Sequence, residues 1–278
     1  MHEAMLSQKL ANSNVQCNIC QWRCHISPGN AGVCRMYQNI DGSLLNMNYA
    51  LASSVAIDPI EKKPLYHFYP GSQVFSLGSW RCNFHCEGCQ NWQISCTEIA
   101  PPGKGSQEIT PAQAVQMAQS NSCRGIAWTY NEPSMWFEYT LDSAKLAKHN
   151  NLYTVYVTNG YMSPEALDDD EQLQGIAGWI HDKLGELTPW HVTRFYPQYQ
   201  ATHLMPTPIS TLERALEIGK KAGLKFIYTG NVPGHDGENT YCYSCSKMVV
   251  QRSGYNTRVI GLAGSKCKFC GAELNFRV

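Results

Sequence analysis

Cys82, Cys86 and Cys89 are separated by gaps of three and then two residues, in the run Cys82-Asn83-Phe84-His85-Cys86-Glu87-Gly88-Cys89. A short loop containing Gly88 can turn three such thiolates inward around one iron–sulfur cubane, each sulfur binding one iron. The fourth iron then stays open and can chelate a small molecule. The competing reading of the same residues is a zinc site or three unrelated buried cysteines. A second group is Cys242-Tyr-Ser-Cys245, then twenty-one residues, then Cys267-Lys-Phe-Cys270. Two such knuckles make the tetrahedral arrangement of a zinc ribbon, with rubredoxin-type iron as its chemical relative. Zinc is expected here, because a segment of about 40 residues with so few aliphatics needs ligation to hold a fold. A third group, Cys17, Cys20, Cys24 and Cys34, offers four thiolates within eighteen residues, with Gly29 and Gly32 allowing a tight turn. It suits zinc or an auxiliary iron–sulfur cluster, and spacing does not choose between them.

The whole chain has 278 residues, with 22 basic and 22 acidic side chains, 43% hydrophobic residues and 13 cysteines. Its apolar share is enough to bury a core, which excludes disorder as the main state. The balanced charge argues against a nucleic-acid or lipid partner. An odd cysteine count, no secretory leader and repeated short gaps favour thiolate metal sites over disulfides, and point to the cytoplasm. Cys96 and Cys123 stand apart and read as buried apolar residues. The histidines show no paired ligand spacing and receive no role. The basic residues Lys247, Arg252, Arg258, Lys266 and Lys268 read as a solvated face rather than an RNA contact.

Three segments must position these groups: residues 1–70, a Cys-rich lobe of short strands; 71–235, alternating strands and helices; and 236–278, the C-terminal knuckles. In the middle segment strands are expected at Val74–Leu77, Gly125–Trp128, Tyr153–Val157, His191–Tyr196 and Phe226–Thr229. Thr110 is expected to cap a helix over Ala112–Gln119, and further helices over Ser134–Lys148 and Ser210–Ala222, the last ending before Gly223. Alternation of this kind implies a parallel sheet with function at the loops after the strands, here α/β and a shortened partial barrel. The rhythm breaks after Asn159, where Asp168-Asp169-Asp170-Glu171 opens a helix to about Leu184 with no strand before it. Glu132, presented after the second strand with Pro133 fixing the turn, could accept from a cationic amino group. It could equally complement a helix N-terminus.

Around the cysteine loop the sequence resembles a known family. Asp58-Pro59-Ile60-Glu61-Lys62-Lys63-Pro64-Leu65-Tyr66-His67-Phe68, Pro70-Gly71-Ser72 and Cys86 to Trp92 are similar to the cluster entry of pyruvate formate-lyase activating enzymes. Tyr130-Asn131-Glu132-Pro133, Thr158-Asn159-Gly160, Arg194-Phe195-Tyr196-Pro197 and Thr229-Gly230-Asn231-Val232-Pro233-Gly234 resemble the radical SAM enzyme of the AmmeMemoRadiSam system over almost the entire chain. The resemblance implies a 4Fe-4S cluster on Cys82, Cys86 and Cys89, with S-adenosylmethionine (SAM) on the open iron. It implies SAM contacts at Asn131, Glu132 and Asn159, and a one-electron donor such as flavodoxin or ferredoxin. It further implies hydrogen abstraction from a protein glycine or another, small-molecule, substrate. Relatives carry two more strand–helix units in the stretch that here is Leu167 to Asp170. Their loss would remove one flank of the site, leaving as alternative a non-catalytic metal-binding remnant or scaffold.

Overall fold

Thr110 opens the first helix of the alternating region with a reciprocal cap. Its hydroxyl accepts from the Gln113 amide at 3.3 Å, and the Gln113 side chain accepts from the Thr110 amide at 2.8 Å. The helix runs Pro111–Ser120, with proline at its first turn where no amide partner is needed. The computed structural model describes residues 1–20, 22–159, 174, 177–178 and 180–278. It divides into two units, one of Met1–Asp58, Gln73–Gly160 and Gln198–Gln200, the other of Pro59–Ser72, Tyr161–Pro197 and Ala201–Val278.

The first unit is built on a four-stranded sheet in the order Tyr153–Tyr156, Gly125–Trp128, Gln73–Gly78, Ser54–Pro59. The first three strands run parallel, Gly125 standing opposite both Val74 and Tyr153. A side chain at Gly125 would meet the Tyr153 ring at 2.0 Å, so only glycine lets these strands close up. The two central strands are buried on both faces, Gly125–Trp128 throughout and Gln73–Gly78 after its first residue, as strands inside a covered sheet require. Phe75, Leu77, Ile126 and Trp128 pack with Ala114, Ala118, Trp136 and Tyr139 from the helices. Each large side chain buried there contributes roughly 1.5–3 kcal/mol. The expected helix from Ser134 begins as a 3-10 turn, Pro133–Trp136, and continues as the α-helix Phe137–His149.

The N-terminal lobe consists of two small antiparallel sheets, Ser7–Lys9, Val15–Cys17, His25–Ile26, and His2–Glu3, Ser43–Asn46, Tyr37–Ile40. Glu138 of the second helix holds it in place. This fully buried carboxylate accepts from the Tyr37 hydroxyl at 2.7 Å, the Asn46 amide at 2.8 Å and the Met5 backbone N–H at 3.0 Å. Three donors replace the water it lost.

The second unit holds a parallel pair, Trp190–Thr193 with Ile227–Gly230. The helix Ile209–Lys221 precedes the second strand and is followed by Gly223 at φ +98°. The first strand stops at Thr193 instead of Tyr196, since the Arg194 guanidinium turns to the Thr207 carbonyl and the Phe195 amide to the Thr207 hydroxyl. The expected strands form two groups among the described residues, three parallel strands within the four-stranded sheet and a separate parallel pair. Among the described residues neither Tyr153–Tyr156 nor Trp190–Thr193 has a strand on its other side, and no barrel closes. The turn at 164–167 and the start of the expected helix at Asp168 lie outside the described residues, and Ile180–Leu184 forms a π-helical turn. The C-terminal knuckles carry the three-stranded sheet Thr240–Tyr241, Met248–Ser253, Asn256–Val259.

Arg252 corrects the expectation of a solvated basic face. It is buried, donates to the Glu238 and Tyr66 carbonyls and the Thr240 hydroxyl, and stacks 4.1 Å from the centre of the Tyr66 ring. His67, also buried, sits with Nδ1 2.9 Å from the Leu274 carbonyl and Nε2 2.6 Å from the Tyr228 hydroxyl. A neutral ring protonated at Nδ1 satisfies both, donating to the carbonyl and accepting from the O–H. Burial, reinforced by the Arg252 charge, holds His67 down to about 3. The unfolded ring takes a proton near 6.5, so stability present above that pH is lost as pH falls from 6.5 toward 3, at about 1.4 kcal/mol per unit. Denaturant unfolding at pH 7 and pH 5 is expected to show the wild type losing about 2 kcal/mol more than His67→Gln. Equal losses would mean that His67 does not titrate with folding.

Candidate metal centres

The two C-terminal knuckles are built alike. In each, the first cysteine's amide donates five residues ahead, Cys242 to the Lys247 carbonyl and Cys267 to the Ala272 carbonyl, both at 2.9 Å. The amide four residues on returns to that cysteine's carbonyl, from Ser246 and Gly271, and both of those residues are left-handed at φ +58° and +78°. The turns bring Cys242 Sγ to 3.6 Å from Cys270 Sγ and Cys245 Sγ to 3.8 Å from Cys267 Sγ, with all four within 4.8 Å of one another. Sulfurs bound at about 2.3 Å around one tetrahedral ion stand about 3.8 Å apart. The spacing fits a single metal ion. Zinc and iron share that bond length, so geometry leaves the element open.

Cys82, Cys86 and Cys89 do not approach one another this closely: among the described residues the C-terminal four are the only such group. The strand Gln73–Gly78 delivers the chain to this loop. A Cβ at Gly78 would lie 2.9 Å from the Tyr130 ring, which explains glycine at the strand's end. Asn131 then pins the exit, its amide donating to the Ser79 carbonyl at 2.8 Å and the Arg81 carbonyl at 2.6 Å while its oxygen accepts from the Ser79 amide. Arg81 turns left-handed at φ +63° and Cys82 follows. Cys82 and Cys89 are half-buried and Cys86 is exposed. Burial pushes the Cys82 thiol up to about 11, with Glu132, Cys86 and Cys89 acting in the same direction against the Phe84 amide.

Glu132 is 1% exposed and accepts five contacts: the Ser134 amide at 3.0 Å and hydroxyl at 2.6 Å, the Thr158 hydroxyl at 2.9 Å to each oxygen, and the Asn159 amide at 2.7 Å. It therefore does cap the turn Pro133–Trp136, as the plainer reading of the sequence had it. Yet among the described residues no cation pairs with it, so its negative charge is held by neutral donors inside the unit. That arrangement fits a ligand ammonium. Asn159 links the carboxylate to the cysteine loop, its side chain donating to Asn83 Oδ1 at 2.8 Å with Cys82 Sγ at 3.9 Å. Glu132 and Asn159 thus face the loop together, whereas Asn131 orders the backbone leading into it. Asn83 and the Thr158 hydroxyl were not singled out from sequence; adjacency to Cys82 and Asn159 was the only signal for them.

The N-terminal four thiols also assemble. Burial pushes Cys17 up to about 12, with Cys34, Cys20 and Cys24 adding to it; Cys34 is raised to about 11 mainly by burial, with Cys20 and Cys24 adding to it. Cys20 is raised by burial too, opposed mainly by the Trp22 backbone amide. Cys123 is buried in the first unit's core, as expected. Cys96 is a correction: it is half-buried at the end of the short helix Trp92–Ser95, within electrostatic reach of Cys89. Trp128 is a core residue, and Trp92 stacks on Tyr199 with 5.2 Å between ring centres. Of the run Asp58 to Phe68, Asp58 accepts from the Tyr130 hydroxyl at 2.7 Å, while Tyr66 belongs to the second unit's core and His67 packs beside it.

Residues 79–175, which begin at the strand exit and include the cysteine loop, Glu132 and Asn159, match the radical SAM superfamily. The chain carries a radical SAM domain. The match implies a 4Fe-4S cluster and SAM as its cofactors, and an oxidoreductase-type enzyme. The chain is also 36% identical to the uncharacterized protein MJ0808 of Methanocaldococcus jannaschii, over an alignment of 332 residues that covers 99% of both. It belongs to that protein's family. Since this chain has 278 residues, the archaeal relative carries more than fifty that have no counterpart here. Among the described residues no helix is long and apolar enough to cross a membrane.

Proposed function

We propose that this protein is a radical SAM enzyme that abstracts hydrogen from a protein glycine or another substrate, in the manner of the activating enzymes and the AmmeMemoRadiSam type. A cluster held by Cys82, Cys86 and Cys89 would supply one electron to cleave SAM into methionine and a 5'-deoxyadenosyl radical. The observation that carries this reading is Glu132, a buried carboxylate beside the cysteine loop that no cation among the described residues pairs with. It would take the SAM ammonium in a charge-assisted hydrogen bond. Thr158 and the Asn159 amide would hold its oxygens at fixed angles, and Asn131 would hold the strand exit so that the sulfurs keep their spacing. A flavodoxin or ferredoxin would supply the electron. All thirteen cysteines are free, which suits a reducing cytoplasm.

Protein reconstituted with iron and sulfide under anaerobic conditions is expected to form 5'-deoxyadenosine from SAM when reduced. Glu132→Gln is expected to weaken SAM binding by about 10- to 100-fold, the worth of a hydrogen bond to a charged group. The more than fifty residues that the archaeal relative has and this chain lacks favour a second reading, a metal-binding protein without turnover. Cluster-loaded protein that makes no more deoxyadenosine than its Cys86→Ala variant would select that reading and end the enzyme proposal.

A further inference from the structure

The N-terminal cysteines form a second centre whose geometry differs from that of the C-terminal knuckles. Val15–Cys17 and His25–Ile26 pair in register, Val15 opposite Ile26 and Gln16 opposite His25. The Cys17 amide donates to the Cys24 carbonyl at 2.9 Å, which sets these two cysteines across from each other at the mouth of the hairpin. The loop between them carries Cys20, whose carbonyl accepts from the Arg23 amide, with Arg23 left-handed at φ +47°. Gly32 lies against Cys24, since a Cβ there would stand 3.4 Å from its sulfur. The turn from Gly32 to Arg35 then brings in Cys34, whose sulfur accepts from the Met36 amide at 3.4 Å. All four cysteines share one apolar group with Ile26, Met36, Tyr37 and Trp80.

The spacing of the sulfurs separates zinc from a cluster. No three of these four lie within 4.8 Å of one another, although in the same protein the C-terminal sulfurs contract to single-ion distances. All four nonetheless gather at the same apolar group, Cys17 and Cys34 within it and Cys20 and Cys24 packed against it. Four thiolates converging at more than single-ion spacing, with a backbone amide donating to one sulfur and an apolar shell around them, match what a cubane needs. Four protein ligands leave no iron open, so this centre would have no place for a substrate. Its position gives it a different use. Asn83, next to Cys82, accepts from the Asn159 side-chain amide at 2.8 Å, and its carbonyl accepts at 3.0 Å from the indole N–H of Trp22, which lies between Cys20 and Cys24. One residue therefore touches both cysteine loops.

We propose that Cys17, Cys20, Cys24 and Cys34 hold a closed 4Fe-4S cluster that relays single electrons to the centre on Cys82, Cys86 and Cys89. An external low-potential one-electron donor of the flavodoxin or ferredoxin class reduces the N-terminal cluster. That cluster returns to its oxidised state by giving up the same electron, and no bond or proton changes place in the transfer. The relay rests on the reading of the Cys82 loop given above, whereas the cluster does not.

The test starts with the triple variant Cys82→Ala, Cys86→Ala, Cys89→Ala, purified and reconstituted without oxygen. It is expected to keep about four iron and about four acid-labile sulfide per chain, with an electron paramagnetic resonance signal that SAM does not alter. A triple variant holding no sulfide and two zinc ions would overturn the cluster. The complementary variant, Cys20→Ala with Cys24→Ala, is expected to lose the SAM-insensitive signal and keep the SAM-sensitive one. Its deoxyadenosine formation should fall at least tenfold with reduced flavodoxin and stay within twofold with dithionite, which reaches the second centre directly. Unchanged turnover with flavodoxin would overturn the relay. Wild-type protein without any SAM-sensitive signal would instead overturn the proposed function and leave the N-terminal cluster standing on the triple variant's iron and sulfide.

Discussion

Cys86→Ala is expected to bring SAM cleavage down to the level of protein without its cluster, while thermal stability stays within a degree or two of the wild type. The two halves of this expectation come from the same geometry. Cys86 is exposed, and its carbonyl accepts from the Cys89 amide through backbone atoms that alanine retains. Removing an exposed sulfur leaves no cavity and no buried polar group without a partner, the two usual sources of large destabilisation. Yet one of three thiolates is gone, and two cannot hold a cubane with a single open iron. Deoxyadenosine yield, the SAM-sensitive resonance signal and a melting curve measured on one preparation check all of it. A variant that kept its SAM-sensitive signal would show that Cys86 is no ligand. Cys123→Ala is the useful control, since it removes a buried sulfur from the core without touching the loop.

Cys242→Ala should act in the opposite sense, through stability first. Cys242 is 1% exposed and packs with Tyr66, Phe226, Tyr228, Val249, Leu274 and Phe276. Ligation of a structural ion of this kind contributes on the order of 10 kcal/mol, comparable to the whole stability of an ordinary domain. Few other interactions hold the short strands Leu262–Ala263 and Lys266–Cys267 together. Loss of the ion is expected to open the knuckles and loosen the strand Ile227–Gly230 through the shared core. Metal analysis should show one ion fewer per chain. Proteolysis or hydrogen exchange should find residues 240–276 unprotected, with the sheet centred on Gly125–Trp128 still protected. A Cys242→Ala protein that kept its metal and its protease resistance would contradict the ion's structural role. Strong chelation of the wild type should reproduce the variant.

The element types and both well-spaced cysteine groups were legible without coordinates because each depends on neighbours in the chain. The Thr110 cap, the helix stop at Gly223 and the β-rich runs at Gly125 and Tyr153 are local signals, and the structure places elements there within a few residues. Two-residue gaps within Cys242–Cys245 and Cys267–Cys270 suffice for a knuckle whose hydrogen bonds span five residues. The break in the strand–helix rhythm after Asn159 was equally plain in the sequence, and most of that stretch lies outside the described residues.

Everything that depends on distant chain segments required the fold. Nothing near Glu138 in the chain marks it: Tyr37 lies 101 residues away from it and Asn46 lies 92, and only their approach makes it the clamp of the N-terminal lobe. Arg252 read as a surface charge until its bond to the Tyr66 carbonyl, 186 residues distant, took it out of water. Asn83 acquired its place between two cysteine loops from contacts that no spacing rule encodes. Periodicity and ligand gaps report what a few successive residues can do for one another, and the chain alone was enough to name the sulfur groups and the parallel strands. Which buried charge is held by neutral donors, and how sulfurs converge from separate turns, follows from long-range packing, and that was decided only when the chain folded.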